Sequence, residues 1–410
     1  MKKMIIIASI CLVLIVVVCL PFKNNNAKQD PRGRSYAGAE ACAKCHSDMY
    51  NSYLHTAHYI ASIPASDNTV HGSFIKGFNV FNVTDSQQLV MEKRDSGLFQ
   101  TYYLNGKLKD RYSFDIVFGG VKGESYLYWQ GNELYQLPIS YYTAQHQWST
   151  SPGYGFNFLD YPVSRIIKKR CLECHASFID DLPGESSQPL NKTEEFDKST
   201  MVLSIDCERC HGPGEQHVQF QTDHPEIKTA SFITSYNSLN RIQKMDMCAV
   251  CHSGKSNVML RSIFTFMPGD TFAKFKVPQF FNASDTNNNV DVHGNQVQLL
   301  EKSECYLKSN MTCTTCHDVH QNTRGNDILY TQVCLTCHTK STHNYCKMAN
   351  EVSDASLKTN CINCHMPALA TNKISVQISD TLPSIQFFVH THHIAVYPQE
   401  TKKILAFINK

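Results

Sequence analysis

One pattern constrains this chain more than any other. Seven times a cysteine is followed three positions later by a second cysteine, and each time the next residue is histidine. The units are Cys42/Cys45/His46, Cys171/Cys174/His175, Cys207/Cys210/His211, Cys248/Cys251/His252, Cys313/Cys316/His317, Cys334/Cys337/His338 and Cys361/Cys364/His365. Two thiols on one helical turn can each add to a vinyl group of a haem, and the next imidazole then lies under the ring, on the iron. Zinc ribbons share the cysteine spacing but leave the trailing histidine accidental. At about one chance in twenty per site, seven such accidents are negligible. A disulfide scaffold, the other common use of cysteine in an exported chain, leaves the histidines equally unexplained. The expectation is seven covalently bound haem c groups.

The N-terminus reads as a targeting element. Lys2 and Lys3 precede an apolar run from Met4 to Phe22, and a polar stretch from Lys23 to Asp30 follows. This is the charge-then-apolar order of an export signal. The run is also about long enough to span a bilayer, so removal as a signal peptide and retention as a membrane anchor both stay open. Lipid attachment at Cys19 is a third route, disfavoured by Val18 before it. The chain is therefore expected in the periplasm or cell envelope, free or held by this segment. The polypeptide charge of +2 gives no argument for a nucleic-acid partner. Haems change that balance: each brings two propionates against about one positive charge on ferric iron and porphyrin, so the holoprotein is acidic and suits redox partners with basic docking patches.

Motif spacing bears on architecture. The first unit stands alone, and six crowd between Cys171 and His365. So few residues per haem cannot build an aliphatic core, so the haem faces must supply much of the buried apolar surface. The expected fold is mainly α, short helices and extensive loops organised around haems, with little sheet there. Between the first two motifs, from His71 to Trp148, apolar and polar residues alternate, aromatics are frequent, and Asn105-Gly106 and Gly131-Asn132 mark hairpin turns. Trp129 and Trp148 read as packing residues. The expected division is 1–30 signal peptide or anchor, 36–62 first haem segment, 63–165 β-rich insertion, and 166–410 six-haem domain.

Each iron also needs a sixth ligand or an open position. Twelve histidines lie outside the motifs: His55, His58, His71, His146, His217, His224, His293, His320, His343, His390, His392 and His393. Neutral imidazole is the usual distal ligand, and methionine, of which Met366 has the most distinctive setting, is the other.

Several segments resemble a known family. YAGAEACAKCHSDMYNSYLHTAH and DCERCHGPGEQHV are similar to haem segments of the cytochrome c-554/c-prime family, and DVHGNQ, MTCTTCHDVH and CINCHMP resemble segments of related multihaem cytochromes. The resemblance implies distal ligation by His58, His217 and His320, the last to a haem other than its own motif's, and less directly by His293 and His392. His343 is added because it lies between closely spaced motifs. His55, His71, His146 and His224 are not chosen. In FFVHTHHIAVY, His390 and His392 share one face of an apparent strand, so one of them is expected to reach iron, while His393 points away. Cys305 and Cys346 are left over, and a disulfide between them is the main reading, with buried free thiols as the alternative.

That family includes carriers and catalysts. The preferred reading is an electron carrier in an exported respiratory or redox chain. The alternative is an oxidoreductase acting on a small nitrogen or sulfur compound at a five-coordinate haem. No Cys-x-x-Cys-Lys unit is present to support the latter.

Overall fold

The aromatic-rich stretch after the first motif folds as two antiparallel sheets because its alternation puts one face of each strand against the other sheet. The computed structural model describes residues 29–154, 165–182, 194–254, 257–278, 290–341, 345–376 and 384–408. The leader lies outside them. In chain order the strands are β1 (Ser62–Pro64), β2 (Val80–Asn82), β3 (Gln87–Arg94), β4 (Gly97–Leu104), β5 (Lys107–Ser113), β6 (Ile116–Gly119), β7 (Glu124–Gln130), β8 (Glu133–Gln136), β9 (Ile139–Tyr142), β10 (Gln147–Thr150) and β11 (Arg165–Ile166). Strands β2 to β5 form a four-stranded meander. The second sheet runs β1-β6-β7-β8-β11, with β9 joined to β7 and β10.

The hairpin turns fall where the sequence marks them. Asn105 and Gly106, both at positive φ, close β4 on β5, and Gly131, also at positive φ, opens the turn from β7 to β8. Leu89, Met91 and Tyr102 of the meander pack on Tyr126, Leu137, Ile139 and Trp148 of the second sheet. A buried amide crosses this interface: Gln100 donates from Nε2 to the Ile139 carbonyl and accepts from the Ile139 N–H, both at 3.2 Å. Both ends of the amide are thus satisfied, as burial requires. Trp148 is a packing residue, with its indole N–H donating to the Ser73 carbonyl at 3.0 Å.

A second core joins this sandwich to the second motif. Ile116, Leu127 and Leu134 pack with Leu172, Ala176, Ile179 and Phe196. Leu172 lies inside the second motif and is fully buried. Leu172→Ala is expected to destabilise the protein by about 2–5 kcal/mol, since it removes buried apolar carbons and leaves a cavity. Chemical denaturation checks this, and a change of under about 0.5 kcal/mol would show that the seam between sheet and motif is loose.

The expectation of a mainly α fold is overturned. Of the described residues about 29% are helical and 25% strand, with several antiparallel sheets. Part of the excess strand lies among the later motifs, where little sheet was expected. Strands β12 (Ala176–Asp181) and β13 (Phe196–Leu203) pair antiparallel and link the second motif to the third. Strands β14 (Ala368–Val376) and β15 (Ile385–His390) pair after the seventh. Such connectors must satisfy their backbone hydrogen bonds without a wide helical apolar face, and their β-branched and aromatic residues favour a two-stranded ladder.

The helices are short, and several carry motifs. Asn240 opens Arg241–His252 with a capping box, its side chain accepting from the Gln243 N–H, and the fourth motif occupies the last turns. Asp206 caps Cys207–His211 by accepting from the Arg209 N–H. The second motif ends Lys169–His175, and the seventh fills Cys361–His365. Among the described residues no helix is long and apolar enough to cross a membrane.

From 301 to 375, a stretch holding three motifs, Pro367 is the one buried apolar side chain among the described residues. A folded segment of that length without an aliphatic core needs another source of buried apolar surface. Haem faces fit that need.

Candidate haem sites

A single helical turn prepares each motif. The His46 N–H donates to the Cys42 carbonyl at 2.9 Å, and His317 and His338 make the same bond to Cys313 and Cys334 at 3.0 Å. The turn puts both thiols and the imidazole of one unit on neighbouring faces.

Four motif imidazoles then face a second imidazole from elsewhere in the chain. The ring centres are 6.4 Å apart for His46 and His217, 6.3 Å for His252 and His58, 6.2 Å for His211 and His320, and 6.2 Å for His317 and His392. An imidazole nitrogen binds a transition metal at about 2 Å and its ring centre lies about 1 Å further, so trans ligands on one iron hold their ring centres roughly 6 Å apart. All four gaps fit one iron. The planes differ by 12° for His46/His217, 19° for His211/His320 and 28° for His317/His392, but by 72° for His58/His252.

The chain orients several of the motif and partner rings through their second nitrogen. Nδ1 of His211 meets the Thr234 carbonyl at 3.1 Å, and Nδ1 of His217 meets that of Ser231 at 2.8 Å. His365 does the same with Ala395 at 2.9 Å. His317 instead faces the Tyr330 hydroxyl at 3.3 Å. Such bonds leave Nε2 as the nitrogen available to metal. Burial lowers both His58 and His392 to about 4, which keeps these imidazoles in the neutral, ligating form at neutral pH.

His58 reaches the fourth motif because its own segment is strapped to the third. The Tyr53 hydroxyl donates to the Ile205 carbonyl, the Ile205 N–H donates to the His58 carbonyl, and the Ser204 N–H donates to the Ser62 carbonyl, all at 2.9 Å. Ser62 Oγ also donates to the His175 carbonyl at 2.6 Å. The first segment therefore runs from its own motif across the third to the second and fourth.

The thiols of different motifs also meet. Cys42 and Cys207 are hydrogen-bonding neighbours, as are Cys174 and Cys251, Cys248 and Cys313, and Cys334 and Cys361. The bond from Cys334 draws Cys361 down to about 6. The helix Arg241–His252 packs against both Lys169–His175 and the turn Cys313–Thr315.

Cys45 departs from this pattern. The sequence puts it on the same footing as Cys42, but the polypeptide buries the two thiols unequally: Cys42 is half-buried against the third motif, whereas Cys45 is exposed. Cys45 follows the helix Ala39–Ala43 on the turn that leads to His46, and its N–H donates to the Cys42 carbonyl at 3.2 Å. That position turns it away from the seam with Cys207. Cys171 and Cys337 are exposed too, unlike the other motif cysteines. Protein contacts therefore do not place Cys45 in an enclosed site, and its pairing with Cys42 rests on the turn alone. Exposure does not bar a thioether, since a thiol must be reachable to add to a vinyl group.

Other sequence candidates fall elsewhere. His293 sits in the turn before the helix Gln296–Glu301, and Asp291 beside it accepts from Thr371 Oγ1 at 2.7 Å and from the Asn372 N–H at 2.8 Å. His293 belongs to none of the four pairs. His343 lies outside the described residues. His175 stacks on Phe118 of β6 with ring centres 4.1 Å apart. The ring of His71 is bound to the Glu124 carboxylate, and His146 occupies a positive-φ turn between β9 and β10.

Two expectations need correction. The strand carrying His390 ends at that residue, so His390 and His392 do not share a strand face. His390 turns its Nδ1 to the Met366 carbonyl at 2.6 Å, His392 lies past the strand opposite His317, and His393 faces the Tyr397 hydroxyl. Cys305 and Cys346 are free thiols and not a disulfide. Cys305 is felt at Cys316 and Cys334 and itself feels Cys337, of the fifth and sixth motifs, whereas Cys346 is felt at Cys364 of the seventh.

A group absent from the sequence reading is the buried ion cluster around Arg32, between the first and third motifs. Its one sequence signal is Asp206 as a cap before an apolar-poor turn, which says nothing of the distant arginine.

Comparison with known proteins follows the same lines. The family model for cytochrome c554 and c-prime matches residues 159–212, which hold the second and third motifs. The crystal structure of the outer cell wall cytochrome OcwA is similar in fold, with a TM-score of 0.53 and 17% sequence identity, over 90% of this chain and 81% of that one. No curated protein sequence matches the chain. Motifs and imidazole pairs are those of a multihaem c-type cytochrome, with a fold similar to that of one solved cytochrome and a match to the cytochrome c554 and c-prime family over the second and third motifs.

Proposed function

We propose that the chain holds seven haem c groups and conducts electrons along them in an exported redox chain. Four imidazole pairs spaced for one iron each carry this reading. Haem c, when bound, supplies a reversible one-electron iron couple. The fourteen motif cysteines, the exposed Cys45 among them, are its covalent holders and the seven motif histidines its proximal ligands. His217, His320, His58 and His392 are the distal ligands at the first, third, fourth and fifth motifs. His293 and His343 remain proposed ligands for the others.

The wiring follows from which residues are shared. Neighbouring thiols join motifs one and three, two and four, four and five, and six and seven. Cys210 also feels Cys251 and Cys334 feels Cys316 electrostatically, which supports links through space from three to four and from five to six. These contacts support an unbroken route from the first motif to the seventh, with the second as a side branch at the fourth. Imidazoles add to these links: His217 follows the third motif but faces the first, across the first seam, and His320 follows the fifth but faces the third, a further connection. At these four positions the two imidazoles would hold the iron between them, and a haem so held would supply electron transfer without a change of ligands.

Redox proteins with basic docking patches are the proposed partners, and the N-terminal segment is the proposed route of export and of any membrane attachment. Intact-mass measurement with a haem-iron assay tests the reading. The expected result is seven covalent haems per chain, and a lower count or zinc in their place overturns it.

A further inference from the structure

We propose that the buried ion cluster around Arg32 sets the reduction potentials of the irons at the first and third motifs. The inference rests on the multihaem reading above. Arg32 meets three carboxylates at 2.8 Å: Asp30, Asp206 and Glu208. All four side chains are buried, none more than 8% exposed. Arg32 also stacks on the Tyr36 ring at 4.4 Å.

The cluster touches both motifs. Asp206 directly precedes Cys207 and caps its helix, and Glu208 lies within the third motif. Glu208 accepts from the N–H groups of Ala37 at 2.9 Å and Gly38 at 3.0 Å, just before the first motif, and from that of Gly214 at 2.7 Å. The Cys42 and Cys207 thiols both sense Asp206, and Cys42 also senses Glu208.

Carboxylates outnumber the guanidinium three to one. Burial raises the Glu208 carboxyl, yet with Glu208 protonated two carboxylates still oppose one cation. One nearby charge offsets part of the excess at the third motif: Arg209, within that motif, is felt at Cys210, although its guanidinium is engaged by the carbonyls of Ile263 at 2.7 Å and Glu173 at 3.1 Å. Arg34, Glu40 and Lys44 are exposed, and the signs of the shifts expected on removing one cluster charge do not depend on the local sum. Reduction removes one positive charge from the iron centre. Buried negative charge therefore favours the ferric state and holds the potential down, and a site away from water screens this weakly.

Opposite substitutions make the test. Asp206→Asn removes a negative charge and keeps an equally good helix cap; Arg32→Gln removes the positive one. The readout is a potentiometric titration followed by low-temperature electron paramagnetic resonance, on the components that vanish in His217→Ala and His320→Ala. The expected result is an upward midpoint shift in Asp206→Asn, a downward shift in Arg32→Gln, and unchanged midpoints at the other irons. Asp30→Asn should move the same components upward, which keeps the test decisive if one variant folds poorly. Shifts of the same sign, no shift, or loss of haem from the variants would reduce the cluster to a structural clamp and overturn the proposal. A wild-type haem count below seven would instead count against the conduit reading, because the sign pattern concerns only two irons.

Discussion

Replacing His58 with alanine is expected to erase the most anisotropic low-spin signal of the oxidised protein and leave the rhombic ones in place. The reason is the angle between ligand planes. When two axial imidazoles are parallel, they split the iron dxz and dyz orbitals and give a rhombic signal. When they are perpendicular, their effects cancel, the orbitals stay nearly degenerate, and the g tensor becomes highly anisotropic. His58 and His252 cross at 72°, whereas the other three pairs lie within 28° of parallel. The variant should convert one iron to the high-spin state while the total haem count stays constant. His217→Ala should instead remove a rhombic component. Loss of a rhombic component from the His58 variant would mean that His58 ligates a different iron, and no spectral change would mean that it ligates none.

The second large effect concerns the haem-free chain. Expressed where haem attachment cannot occur, the polypeptide should fail to order residues 301–375, because among the described residues that stretch buries only one apolar side chain of its own, Pro367. Conformational entropy of about 1–2 kcal/mol per ordered residue is then opposed only near its start, where Tyr306, Met311 and Cys313 pack on a neighbouring core. The sandwich of β1 to β10 has its own aromatic core around Tyr126 and Trp148 and should survive. Limited proteolysis separates the two: rapid cleavage after Glu301 with a protected fragment spanning 62–150 is the expected pattern. Equal protection of both regions would show that the later motifs hold together without haem.

These two cases also mark what could be read from residues alone. The motif spacing is a local property: a thiol, a second thiol and an imidazole on one turn depend on a handful of adjacent residues, so Cys42, Cys45 and His46 and their six counterparts were legible without a fold. The same holds for the turns Asn105-Gly106 and Gly131-Asn132, since left-handed backbone selects those residues. The helix caps Asp206 and Asn240 are equally local. Sheet among the later motifs was not legible, because β13 and β14 carry mostly half-buried or exposed residues and both pairs are broken by register shifts, so no clean apolar-polar alternation marks them.

What only the tertiary structure decided is which imidazole faces which, and which thiols are enclosed. Cys42 and Cys45 are equivalent in the motif, yet only Cys42 meets the third motif, because the seam with Cys207 runs along one side of the turn. His58 lies close behind His46 in sequence, but the straps from Tyr53 and Ile205 carry it past its own motif to His252. His392 faces His317 because the chain breaks from β15 at His390. The Arg32 cluster joins residues about 175 positions apart, and no local signal links them. Haem attachment is written in five consecutive residues. Distal ligation and the surrounding charge depend on contacts between distant segments, and those exist only once the chain has folded around its haems.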